Sequence, residues 1–92
     1  MEGTSKQVRS VINAALKRFN VKIVQTYSNG GRGKDTWDKH FLCYSTERDL
    51  KENEVQIIQT ALDVKGYTNK VYQTQGRMQK YLRVCTMQDD FN

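Results

Sequence analysis

In residues 5–20 the apolar positions Val8, Val11, Ile12, Ala15 and Phe19 recur at i, i+3, i+4, i+7 and i+11, one stripe of a helix. The spacing predicts a first helix over 5–20. The period then shortens. Residues 21–26 form a β-branched run and residues 39–45 read as a second strand, with Gly30-Gly31-Arg32-Gly33 at the centre of the stretch between them. These two strands are expected to pair as a hairpin with a long, mobile tip, residues 28–36 being the most mobile.

In the second half, Thr46 stands three residues before Asp49, and Asp49 three before Glu52, so either could cap a second helix. Leu50, Ile57, Ile58, Ala61 and Leu62 supply its apolar stripe. Gly66 follows where a helix commonly closes in the left-handed conformation. Residues 70–74 and 80–86 then read as strands joined around Gly76, a tighter hairpin.

Helix, strand and strand therefore occur twice, over 5–45 and 49–87, and the halves align as an internal pseudo-repeat within a single domain spanning 1–92. Val8, Val11 and Ala14 fall over Val55, Ile58 and Ala61, and Lys39-His40-Phe41 over Lys80-Tyr81-Leu82. Ordinary likeness between any two amphipathic helix-hairpin units explains the same match. Either way the expected fold class is α+β: a two-layer α-β-β-α-β-β arrangement with a four-stranded antiparallel sheet and two helices on one face. Matching Phe41 with Leu82 assigns Val21, Ile23, Phe41, Cys43, Val71, Leu82 and Val84 to the helix-covered core. The open face then holds Lys22, Val24, Thr26, His40, Leu42, Tyr44, Lys70, Tyr72, Tyr81, Arg83 and Cys85.

Composition fits one small core: 92 residues, 37% hydrophobic, nine aromatics and no proline. No stretch approaches the roughly 18 apolar residues of a membrane span and no secretory leader is recognised, so a cytoplasmic protein is expected. Cys43 and Cys85 are not clustered with histidine, which argues against a zinc site or a disulfide framework. Formal charge is +5, and residues 1–48 hold nine Lys/Arg against four Asp/Glu, while residues 49–92 hold six of each. The whole excess lies in the first half. Such a field attracts phosphate backbones or an acidic protein, although it is also ordinary solubility charge.

Three tyrosines among basic side chains make the expected open face a stacking and phosphate-binding surface, with Lys22, Tyr44, Lys70, Tyr72, Tyr81 and Arg83 as its binding residues. Arg32, Lys34 and Trp37 of the first hairpin tip and Arg77 of the second extend it, and if both tips point the same way Arg32, Lys34, Arg77 and Lys80 converge. Neither the G-x-x-x-x-G-K-[ST] loop nor a dinucleotide fingerprint is present. His40 has no acidic partner on its own strand, Asp35 and Asp38 alone are a poor metal site, and neither cysteine is placed to form a thiolate. The chain is thus expected to be no enzyme and to need no cofactor. Two readings remain: a nucleic-acid-binding module, for single strands in particular, and a protein-binding regulator or inhibitor, including one that pairs with a second copy of itself.

Overall fold

A computed structural model describes the backbone of residues 1–30, 39–76 and 79–87 and the side chains of 1–26, 41–76 and 79–86. Thr4 sets the start of α1 (Ser5–Arg18): its Oγ1 accepts from the Gln7 N–H at 3.3 Å, and Gln7 Oε1 accepts from the Thr4 N–H at 2.9 Å. The helix ends where Asn20 takes φ 59°, with the Asn20 and Val21 N–H groups donating to the Lys17 and Leu16 carbonyls at 3.1 and 3.0 Å. The second helix, α2 (Glu52–Val64), closes identically: Gly66 has φ 84°, and Gly66 and Tyr67 donate to Asp63 and Leu62 at 2.9 and 3.1 Å.

The start of α2 differs from expectation. Neither Thr46 nor Asp49 caps it; Lys51 is the first flanking residue, and its N–H donates to the Glu54 carboxylate at 2.8 Å. Both expected caps are engaged in the preceding connection. Thr46 Oγ1 donates to the Arg48 carbonyl at 2.6 Å, and Asp49 Oδ1 accepts from the Lys80 N–H at 3.1 Å.

The strands β1 (Ile23–Gly30), β2 (Lys39–Thr46), β3 (Val71–Gln75) and β4 (Lys80–Met87) form one antiparallel sheet in the order β1-β2-β4-β3. This is the expected α+β arrangement. One hydrophobic core joins Val8, Ile12 and Leu16 of α1 and Ile58 and Leu62 of α2 to Leu42, Tyr44, Val71, Leu82 and Val84 of the sheet. β1 extends four residues past its expected end, since Tyr27, Ser28, Asn29 and Gly30 pair with Cys43, Leu42, Phe41 and His40. Residues 28–30 are therefore strand rather than loop.

Two expectations about the sheet are corrected. Leu42 and Tyr44, placed on the open face from the pattern, are fully buried against the helices, and Phe41 and Cys43 take the other side. The reason is that both phases of β2 are apolar, so alternation cannot choose between them, and the burial pattern of the two halves matches one residue away from the pairing of Phe41 with Leu82. Leu42, Tyr44 and Thr46 correspond in burial to Leu82, Val84 and Thr86, as Ile12 and Leu16 do to Ile58 and Leu62. A register shift at Val24, which leaves that residue 68% exposed on the edge strand, also reverses the phase of β1, so Thr26 stands opposite buried Tyr44. The hairpins do not point the same way either. Because β2 and β4 are antiparallel, with Lys39 opposite Met87, β1 ends and β2 begins at one end of the sheet, at Gly30 and Lys39, while β3 ends and β4 begins at the other, at Gln75 and Lys80.

Polar side chains finish the edges. Gln73 substitutes for a backbone partner, donating to the Leu50 carbonyl at 2.8 Å and accepting its N–H at 3.0 Å. Gln59 Oε1 accepts the Val71 N–H at 3.0 Å. Buried Asn69 joins the chain's first residues to β4: it accepts from the Gly3 N–H at 2.7 Å and donates to the Gly3 and Cys85 carbonyls at 3.1 and 2.9 Å.

Candidate binding face of the sheet

With the phase corrected, the face turned away from the helices carries Phe41, Cys43 and Ser45 of β2, Tyr81, Arg83 and Cys85 of β4, and Tyr72 and Thr74 of β3. Cross-strand register sets Cys43, Arg83 and Tyr72 in one row, flanked by a Phe41–Cys85 pair on one side and a Thr74–Tyr81 pair on the other. The Arg83 guanidinium carbon lies 3.8 Å from the centroid of the Phe41 ring, a stacked cation–π contact. Its Nε is buried and has no hydrogen-bond partner among the described residues. Tyr72 is 41% exposed and Tyr81 half-buried.

Tyr81 is held by Gly76. A Cβ there would stand 3.1 Å from Tyr81 Cδ1 and 2.5 Å from the Gln79 carbonyl oxygen, so the ring lies where a larger residue would intrude. The turn is closed by the Gly76 N–H donating to the Gln79 carbonyl at 2.9 Å. None of the four strands contains an aspartate or glutamate, while Lys39, Lys80 and Arg83 lie in them. The acids among the described residues stand at Glu2, in the β2–α2 connection and in α2. The sheet thus carries positive charge with no carboxylate of its own.

Of the residues expected to bind, Tyr72, Tyr81 and Arg83 are brought together, and Lys70 is exposed one residue before β3. Lys22 is exposed just before β1, at the opposite end of the sheet, with its backbone N–H on the Glu47 carboxylate at 3.0 Å. Tyr44 is not on this face. Burial pushes its hydroxyl up to about 12 despite the lowering influence of the Arg9 guanidinium, and the hydroxyl lacks a well-formed hydrogen bond among the described residues. Arg32, Lys34, Trp37 and Arg77 lie outside the described residues, as does the side chain of His40. Phe41 is the residue the pattern misplaced; an aromatic next to an equally apolar Leu42 gives no signal of which one faces out.

Neither cysteine forms a disulfide; Cys43 is buried and Cys85 half-buried. Among the described residues no three His, Cys, Asp or Glu side chains gather where a metal ion could be shared. No described helix is long and apolar enough to cross a membrane. No family model, curated protein or solved structure matches the chain.

Proposed function

We propose that this chain is a non-catalytic, cytoplasmic module that binds single-stranded nucleic acid on the open face of its sheet. The observation that supports it most is Arg83 stacked on Phe41 between Tyr72 and Tyr81, in a sheet whose strands hold no carboxylate. Unpaired bases stack on the flat faces of such side chains whatever their sequence, and the backbone phosphates take the cations between them. Arg83 serves both ends: its plane extends the aromatic surface, and the guanidinium of this partly exposed residue carries donors and charge for a phosphate or base edge. Lys70, next to Tyr72, and Arg32, Lys34 and Arg77 of the two hairpin loops supply further charge.

A protein partner at the same face is favoured less. A protein interface there would bury aliphatic side chains, and of the two expected on the open face Leu42 is in the core while Val24 stands at the β1 bulge. Fluorescence anisotropy with labelled mixed-sequence single-stranded DNA and RNA tests the proposal. Binding that weakens with salt and with Tyr72→Ala supports it. Absence of binding at low salt, with light scattering reporting a dimer that Tyr72→Ala dissociates, would replace it with self-association.

A further inference from the structure

On the opposite side of the molecule, the outer surface of the helical layer is also unfinished. The stripe expected to be core in α2 splits in two: Ile58 and Leu62 are fully buried, but Ile57 is 42% exposed. Ile57, Ala61 and Val64 follow i, i+4 and i+7 spacing, so α2 carries a second apolar line facing outward, ending at a Val64 that is 79% exposed. Between this line and α1 runs a groove of about 250 Å³. Ala14, Ala15 and Ala61 give it a low floor, Val11, Phe19 and Ile57 its walls. Small residues there let a third element approach closely, and an amphipathic helix fills such a groove with side chains at i, i+3, i+4 and i+7.

Charge selects the occupant. Arg18 and Lys65 also line the groove, no carboxylate lines it, and α1 carries Lys6, Arg9, Lys17 and Arg18 with no acid at all. A second copy meeting this surface through its own would set cations against cations. The apolar floor likewise suits a side chain better than a phosphate. We propose that this groove docks an acidic amphipathic helix of a partner protein, with its apolar side chains over Ala14 and Ala61 and its carboxylates on Arg18 and Lys65. This surface is separate from the sheet face, so both can be occupied together.

A displayed library tests this: 18-residue peptides with leucine fixed at i, i+3, i+4 and i+7 and all other positions randomised, selected against the intact protein. Recovered peptides are expected to be rich in Asp and Glu beside the leucines and to lose about tenfold or more in affinity on Ile57→Glu, whose fold is checked by circular dichroism. Reversing Arg18 and Lys65 together to glutamate should switch the selection to basic peptides. Recovery of no binder, recovery without acidic bias, or binding unchanged by Ile57→Glu would overturn the proposal.

Discussion

Arg83 and Phe41, diagonal neighbours on adjacent strands offset by two residues, are stacked with 3.8 Å between guanidinium carbon and ring centroid. The contact holds a long, flexible side chain flat on the sheet, which lowers the ordering cost when a ligand lands on it. Lysine keeps the charge but has neither the plane nor the fork. Arg83→Lys should therefore lower oligonucleotide affinity while the salt dependence stays nearly unchanged, and Phe41→Leu should lower it through the lost platform. Titration of each variant at two salt concentrations separates the effects. Equal affinity of Arg83→Lys and the parent would show that stacking there contributes nothing.

The inverted phase of β2 is open to measurement. Leu42→Ala removes a fully buried side chain and should cost about 2–5 kcal/mol in urea unfolding. Phe41→Ala, on a half-buried ring, should cost less, although phenylalanine is the larger residue. Tyr72→Ala and Tyr81→Ala should each weaken binding by about 1–3 kcal/mol. Tyr81→Ala should also loosen the Gly76 turn, which Tyr72→Ala leaves alone. A larger stability loss for Phe41→Ala than for Leu42→Ala would contradict the observed burial.

Element types were legible because each carried its own local signal, such as the 3.6-residue stripe of α1 and a residue able to adopt positive φ at Gly66. Asn20 performs the same closure for α1 and was read as the end of the helix. The face of β2 was not legible. Phe41, Leu42, Cys43 and Tyr44 are consecutive apolar residues, and a period-2 argument needs a polar phase to reject. The bulge at Val24 has no composition signal, and the relative direction of the hairpins is set by β2 pairing with β4, a contact between halves that neither half encodes locally. The side of the sheet that carries Tyr72, Tyr81 and Arg83 was legible because residues alternate cleanly around buried Leu82 and Val71.

Asn69 offers a test of the core that involves no ligand. Its side chain makes three hydrogen bonds, to the Gly3 N–H, the Gly3 carbonyl and the Cys85 carbonyl. Asn69→Leu has similar size but pairs none of them, and each buried group left unsatisfied costs about 1–3 kcal/mol. Chemical denaturation should show a loss of that order or more, and hydrogen exchange should show faster exchange at the Gly3 amide. An unchanged midpoint would mean that water replaces the side chain without penalty.

Acid should act through Glu54. Its carboxylate accepts both terminal nitrogens of Arg48 at 2.8 Å and the Lys51 N–H, and these bonds, the Arg48 bond foremost, hold its pKa down to about 2 from 4.5. A carboxyl with a depressed folded-state pKa contributes stability that is present above the unfolded value and lost as pH falls through the folded one. The melting temperature of the parent should therefore exceed that of Glu54→Gln at neutral pH, and the gap should narrow between pH 4.5 and 2. A gap independent of pH would assign the difference to packing.

The opposed hairpins make a length-dependent prediction. Gly30 and Lys39, the ends of the first hairpin's strands, lie at the Phe41 and Lys70 end of the sheet, whereas Gln75 and Lys80 lie at the other end, beside Tyr81. An eight-residue strand spans about 27 Å, so a ligand of a few nucleotides over Arg83 reaches one end only, while a longer one reaches both. Each phosphate contact on a single strand contributes about −0.7 to the log–log slope of affinity against salt. Replacing Arg32 and Lys34 with serine should thus reduce the slope by about one to two units, and Arg77→Ser by less than one. On a short oligonucleotide centred over the aromatic row the two sets should not add, because occupancy of one end excludes the other. On an oligonucleotide long enough to cross the sheet they should add. Additivity that is the same for both lengths would mean that the loops do not share one bound strand, and the basic tips would then be solubility charge unrelated to the aromatic face.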